Sequence, residues 1–161
     1  MYMSYKTRIA IVALGISGLA GSCMAAKMDG IVGDWKMDAA KSRFEPSPGM
    51  QKFESKVTAA GDGTYTYQAE WVEGDGTAGH LQYTTALDGK AVPVTGYSAV
   101  DSVKVTKLNA KSLKVVFTKD GKIVERETQT LSADGKTVRD LDTGKDENGK
   151  PFTDHLVLDR Q

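Results

Sequence analysis

The side chains best suited to chemistry in this chain are two histidines and a pair of glutamates. His80 and His155 each fall on the predicted polar face of a strand, and their spacing suggests no third metal ligand. Glu125 and Glu127 are two residues apart, which puts both carboxylates on one face of a strand. Because Arg126 and threonines flank them, we interpret the pair as part of an exposed charged strand rather than as a catalytic dyad.

A second acidic stretch runs from residue 140 to residue 149 and ends on Asn148-Gly149. Aligning that dipeptide with the turn of a calcium-binding EF-hand loop places Gly144 and His155 where carboxylates are required. The EF-hand motif therefore fails. A solvated hairpin loop is the default interpretation, and a calcium site of another kind is the alternative.

Recognised catalytic motifs do not occur in this sequence. There is no Gly-x-Ser-x-Gly element, and the single cysteine, Cys23, precedes the predicted mature domain. That domain therefore contains no disulfide, thiolate metal site or cysteine nucleophile. We predict no catalytic residue, no metal site and no cofactor, which favours a protein that is not an enzyme without excluding one.

The first 26 residues have the pattern of an export signal. Lys6 and Arg8 precede an apolar run over residues 9–20, and mostly small residues follow at 22–26. A run of about 12 residues is too short to span a bilayer as a helix. We therefore predict that residues 1–26 are a signal peptide and that residues 27–161 form one exported domain, located in the periplasm or outside the cell.

An alternative processing route would place the protein at a membrane. Residues 20–23, Ala-Gly-Ser-Cys, resemble a bacterial lipobox, although Ala20 stands where that motif usually carries a larger aliphatic residue. Lipidation of Cys23 would make the protein a membrane-anchored lipoprotein. Without it, we expect no membrane contact.

Charge argues against nucleic acid as a partner. Without Lys6 and Arg8, the 21 Lys and Arg residues of the chain become 19, against 21 Asp and Glu, which gives a net charge of −2. The basic residues are also spread along the predicted strands rather than gathered into a patch.

Tight-turn dipeptides divide the predicted domain into short segments. They are Asp62-Gly63, Asp75-Gly76, Asp88-Gly89, Asp120-Gly121, Asp134-Gly135 and Asn148-Gly149. Asp-Gly and Asn-Gly suit the hairpin turns that match strand twist, and we expect two more reversals near Gly96 and Asn109. The pattern predicts an all-β chain of about eight to ten antiparallel strands in simple succession.

Apolar and polar residues alternate between these turns, as they do in strands with one buried face. Barrel closure would remove the exposed edges of such a sheet, so we predict an antiparallel up-and-down β-barrel. The large aromatic residues of the apolar faces either line a ligand pocket or fill the core. These candidate ligand-binding residues are Tyr65, Tyr67, Trp71, Tyr83 and Phe117.

The start of the predicted domain resembles a known superfamily. Residues 33–36, Gly-Asp-Trp-Lys, form a Gly-x-Trp element similar to the opening of the lipocalin and fatty-acid-binding-protein superfamily. In that superfamily the tryptophan closes one end of the barrel and a basic residue of the last strand packs across it. The resemblance implies structural roles for Gly33, Trp35 and Arg160.

A longer series of motifs is similar to a family of small secreted bacterial lipocalin-like proteins. The series consists of residues 33–36, Ala40-Lys41-Ser42, residues 60–63, Asp88-Gly89-Lys90, residues 93–96 and residues 132–137. This resemblance implies a lipocalin-like barrel behind a signal peptide, and it implies no particular activity.

Two functions fit these observations. The first is a lipocalin-like binding protein that holds a small apolar ligand inside the barrel, without a cofactor. The alternative is a structural or protein-interaction module of the bacterial envelope whose barrel is filled by its own side chains. A cavity of a few hundred Å³ would favour the first, and a filled interior with an exposed apolar patch would favour the second.

Overall fold

The computed structural model describes residues 27–146 and 148–161, so the predicted signal peptide and Cys23 lie outside the described residues. Within those ranges no helix is long and apolar enough to span a membrane. A single 3₁₀ turn at Asp29–Ile31 precedes eleven strands in the described chain. These are β1 (Gly33–Met37), β2 (Arg43–Glu45), β3 (Lys52–Ala59), β4 (Tyr65–Val72), β5 (Ala78–Thr85), β6 (Asp88–Pro93), β7 (Ser102–Lys107), β8 (Ser112–Lys119), β9 (Lys122–Leu131), β10 (Thr137–Lys145) and β11 (Pro151–Arg160).

Ten of these strands form one antiparallel sheet that curls into a barrel, in the order β5-β4-β3-β1-β11-β10-β9-β8-β7-β6. The barrel closes where Gln82 of β5 and Thr95, just after β6, exchange two backbone hydrogen bonds of 2.9 and 3.0 Å. Strand β2 lies off this path and pairs with β11. The predicted all-β chain with an antiparallel up-and-down barrel is confirmed.

Five of the six predicted turn dipeptides connect consecutive strands, and the reversals near Gly96 and Asn109 are also present. The exception is Asp88-Gly89, which begins β6. The chain reverses just before it, at Leu87, which has a φ of 59°. Gly89, with a φ of 79°, lies where the register between β6 and β7 shifts. Its conformational freedom therefore serves a bulge rather than a hairpin turn.

Between β1 and β2 a short turn at residues 38–42 contacts β11, and the backbone N–H of Asp38 donates a 2.8 Å hydrogen bond to the carbonyl of Val157. Asp38 caps a short turn there by accepting hydrogen bonds from the backbone N–H groups of Ala40 and Lys41. The Ser42 hydroxyl then accepts a 3.0 Å hydrogen bond from the backbone N–H of Val157. These contacts lie at Val157, which is buried although the alternation of β11 puts it on the polar face.

The two ends of the barrel differ. We call the end crossed by residues 28–31 the N-terminal end. There the side chains of Met28 and Ile31 join the core, and the Met28 backbone N–H donates a 2.7 Å hydrogen bond to the hydroxyl of Tyr65. The opposite end, which we call the far end, carries the turns at residues 73–77, 120–121 and 146–150.

Candidate functional site

Apolar side chains fill the N-terminal half of the interior. They include Trp35, Leu113, Leu131, Val138 and Leu158, all of them buried. The space left among them is about 30 Å³. That volume holds one or two water molecules and is far below the few hundred Å³ of an ordinary small-molecule pocket.

The five predicted aromatic residues all lie on inner faces of their strands and mostly pack on one another. Tyr67 and Tyr83 stack with their ring centres 5.0 Å apart. Phe117 meets Tyr83 edge to face at 6.2 Å. Tyr65 lies further towards the N-terminal end, where its hydroxyl accepts the Met28 hydrogen bond.

Trp71, nearer the far end, is packed rather than open to the interior. Its ring lies against Gly79, leaving no room there for a Cβ atom, and meets Tyr97 edge to face at 5.0 Å. Only 7% of Trp71 is exposed. A cleft of about 270 Å³ beside it is formed mainly by side chains of the outer surface.

Trp35 and Arg160 form the contact that the superfamily resemblance implies. The guanidinium carbon of Arg160 lies 4.2 Å from the centre of the Trp35 ring. The indole N–H of Trp35 donates a 2.9 Å hydrogen bond to the carbonyl of Ile31. Gly33 has a φ of 145° and faces Arg160 so closely that a Cβ atom would collide with the guanidinium.

The other half of the interior is acidic. In the register of the sheet, Glu127 on β9 lies opposite Asp142 on β10, which in turn lies opposite Asp154 on β11. Glu125 and Asp140 follow on the same inner faces, two residues away along their strands. We call Glu125, Glu127, Asp140 and Asp142 the carboxyl cluster, and carboxyl oxygens of Glu125, Glu127 and Asp142 all lie within 4.8 Å of one another.

The prediction of an exposed pair at Glu125 and Glu127 is wrong. Leu131 is buried, and because side chains alternate along a strand, residues 129, 127 and 125 share its inner face. On β10, buried Val138 places Asp140 and Asp142 inside in the same way. The predicted solvated loop begins only after this strand, at residue 146.

Gln129 holds two members of the carboxyl cluster. Its side-chain amide donates 2.9 Å hydrogen bonds to Oε2 of Glu127 and to Oδ2 of Asp140. The other oxygen of Asp140, Oδ1, is buried without a hydrogen-bond partner, and so is Oδ1 of Asp142. Asp140 is 7% exposed and Asp142 is 6% exposed, so water cannot readily compensate these two oxygens.

Burial and mutual repulsion disfavour negative charge in the carboxyl cluster. Burial, followed by the charge of Asp140, raises the pKa of Glu125 to about 7. Burial also raises the pKa of Asp140 to about 6. The pKa values of Glu127 and Asp142 rise well above the usual range, through burial first and the Asp140 charge second. None of the groups that shift these four pKa values is a Lys or Arg side chain.

Further carboxyls surround the cluster towards the far end. Burial raises the pKa of Asp154 to about 6, and the Glu73 charge adds to that effect. Burial also raises the pKa of Glu73, which follows β4. Neither histidine belongs to this group, because His80 and His155 are exposed on strands that are not neighbours in the sheet.

The fold and this interior describe an antiparallel β-barrel with one apolar and one acidic half. No family model and no curated protein matches the chain. Among solved structures, a redesigned β-barrel is 13% identical, with a TM-score of 0.44 over 87% of this chain and 97% of that one. Zebrafish ileal bile acid-binding protein, in complex with cholic acid, is 10% identical, with a TM-score of 0.49 over 82% of this chain and 99% of that one. These likenesses concern the fold alone.

Proposed function

We propose that this protein is a binding protein whose site is the carboxyl cluster and whose ligand is a small cation. The observation that carries the proposal is the row formed by Glu127, Asp142 and Asp154 on three neighbouring strands. Like charges directly opposite one another destabilise a sheet. Asp142 is buried and the other two are half-buried, and removing carboxylates from water without a basic partner adds a further cost.

A purely structural role does not account for these residues. Apolar side chains of similar size on the inner faces of β9 and β10 would fill the barrel as they do in its N-terminal half, without the cost of desolvating carboxyls. A proton shared between Asp140 and Asp142 would satisfy some of these oxygens, but it leaves the charges of the remaining carboxyls without a basic partner. A cation satisfies the unpaired oxygens and the charge together.

The predicted export segment supports a place of action outside the cytoplasm. We propose that the barrel meets its ligand in the periplasm or outside the cell, either free or held at a membrane through Cys23. Because the signal and Cys23 lie outside the described residues, this part of the proposal rests on the sequence pattern.

A small apolar ligand is a second candidate. The space of about 30 Å³ lies among apolar side chains beside the stacked Tyr67 and Tyr83 rings. An apolar ligand would have to displace residues 28–31 and widen this space. Since the chain has two tryptophans and Trp35 lines this space, Trp71→Phe would leave Trp35 as the reporter. Saturable changes in its fluorescence on titration with a fatty acid or a retinoid would support this candidate, and a flat titration would remove it.

Thermal unfolding in the presence of single cations tests the main proposal. The purified protein would be heated at about pH 7.5, where carboxyls with ordinary pKa values are ionised. The additions would be Ca²⁺, Mg²⁺, putrescine or benzylammonium. We expect at least one of them to raise Tm, since a ligand that binds only the folded state stabilises it. No response to any of the four would refute the proposal.

Matched double variants connect the response to the site. Glu127→Gln with Asp142→Asn removes two charges from the inner row, so we expect it to raise Tm without cations and to abolish the response. Glu70→Gln with Asp34→Asn removes two charges from exposed positions and should preserve the response. A response retained by the inner variant would place the site elsewhere.

A further inference from the structure

The distances within the carboxyl cluster suit a single metal ion. Calcium binds protein oxygens at about 2.3–2.6 Å, so two oxygens on opposite sides of one ion are about 4.6–5.2 Å apart. Oxygens of Glu125, Glu127 and Asp142 lie within 4.8 Å of one another. One ion can therefore contact all three carboxylates without a change of backbone.

Asp140 provides a second observation that points to a ligand. It lies outside that triad, its Oδ2 accepts the Gln129 hydrogen bond, and its buried Oδ1 has no partner. Gln129 bridges Asp140 to Glu127, and Asp140 shares the buried face of β10 with Asp142, so its carboxyl lies beside the other three. Its free oxygen is the natural fourth donor to an ion held by the other three.

Space favours an ion over an organic cation. The carboxyl oxygens of Glu125, Glu127 and Asp142 lie within 4.8 Å of one another, whereas a diamine or a ring compound needs a larger cavity between them. A bare ion that sits between carboxylate oxygens needs no cavity of that size. The donors themselves are all oxygens, which suit hard cations such as calcium, whereas zinc and copper favour imidazole and thiolate.

We propose that the barrel interior binds one calcium-type divalent cation between Glu125, Glu127 and Asp142, with Asp140 as a further oxygen donor. This inference rests on the proposed function and names its ligand class. The ion enters from the far end, where Glu73 and Asp154 add negative charge beside the cluster. Magnesium fits less well, because it requires near-octahedral geometry at about 2.0–2.1 Å and retains several of its waters.

Acid opposes this binding. Metal ligands must be deprotonated, so protons compete with the ion wherever the carboxyls are protonated in the free protein. The titratable groups that face the cluster are Asp154 on β11, Glu73 after β4, Tyr67 on β4 and Tyr83 on β5. The acidic members of this group add to the competition as the pH falls, and the tyrosines stay neutral because burial raises their pKa values.

Terbium luminescence tests the inference, because Tb³⁺ replaces Ca²⁺ at oxygen sites and emits when a nearby tyrosine transfers its excitation energy. We expect saturable emission that Ca²⁺ reverses by competition. The variant Glu125→Gln with Asp142→Asn should weaken binding of both ions by roughly tenfold or more. Glu70→Gln with Asp34→Asn should bind as the wild type does.

A third variant locates the ion. Tyr67 lies close enough to Glu127, Asp140 and Asp142 for their charges to shift its pKa, so Tyr67→Phe should reduce the emission at saturation while the concentration needed for half-saturation stays the same. Folding of each variant is checked by Tm without metal, which the neutralising substitutions should raise.

The outcomes separate this inference from the function on which it rests. If putrescine or benzylammonium stabilises the protein through the carboxyl cluster while Ca²⁺ and Tb³⁺ do not bind, the metal inference is overturned and the proposed function stands. Terbium emission that is unchanged in Glu125→Gln with Asp142→Asn also overturns it. If no cation of either kind binds, both fail.

Discussion

Arg160 joins separate segments of the chain at the N-terminal end of the barrel. Its guanidinium lies over the Trp35 ring and donates hydrogen bonds of 2.8, 2.6 and 2.5 Å to the carbonyls of Gly135, Val32 and Gly30. The superfamily resemblance implies the stacking on Trp35. It does not imply the three carbonyl partners, because these depend on where the chain before β1 and the turn after β9 meet.

Replacing Arg160 tests the contribution of these contacts. We expect Arg160→Ala to lower the free energy of unfolding by about 1–3 kcal/mol, since both the ring contact and hydrogen bonds to a charged group are lost. Denaturant unfolding followed by circular dichroism measures the change. Arg139→Ala, at an exposed position on β10, is the control and should have little effect. Equal losses in the two variants would show that the Arg160 contacts add no stability.

At the scale of elements, β9 and β10 show what alternation can and cannot predict. Alternation shows that Glu125 and Glu127 share a face, but both faces of β9 are polar between residues 125 and 130, so composition does not identify the inner one. The flanking Arg126 and threonines favoured the wrong choice. Leu131 at the end of β9 and Val138 at the start of β10 would have identified the inner faces. Each is apolar, and residues an even number of positions away on the same strand share its face.

Gly144 allows β9, β10 and β11 to lie close together beside the carboxyl cluster. A Cβ atom there would lie 2.5 Å from the carbonyl oxygen of Val124 and 2.7 Å from the ring of Phe152. We therefore expect Gly144→Ala to destabilise the fold by about 1–3 kcal/mol through overpacking. At Gly61 no atom lies within 4 Å of the corresponding position, so Gly61→Ala is the matched control.

Denaturant titrations of the two glycine variants measure the difference directly. If Gly144→Ala and Gly61→Ala changed the free energy of unfolding equally, the close packing of the three strands would be contradicted. The test also bears on the site, because Gly144 lies opposite Glu125 in the sheet register.

At the scale of the whole molecule, strand order was predictable and the contents of the barrel were not. Turn dipeptides and the Gly-x-Trp resemblance were sufficient for a closed antiparallel barrel. Whether the aromatic set lines a pocket or fills the core depends on which inner side chains meet across the barrel. That in turn depends on register and closure, which no local pattern contains. The three-carboxyl row arises from the same register, and it became visible only in the folded chain.

The most direct test of this account is the free energy of unfolding between about pH 5 and about pH 8, measured without divalent cations. The carboxyl cluster has folded-state pKa values above the unfolded ones, so the folded state binds more protons in this window and stability should fall as pH rises. Surface carboxyls with lowered pKa values affect stability only at more acidic pH; they are Asp38, Glu54, Asp62, Asp75, Asp88 and Asp134. In Glu127→Gln with Asp142→Asn the decrease in the free energy of unfolding should be smaller. Adding Ca²⁺ to the wild-type protein should raise its free energy of unfolding near the upper end of this pH range. Stability that is constant or rises with pH in the wild type would contradict a buried, unneutralised carboxyl cluster and the cation site built on it.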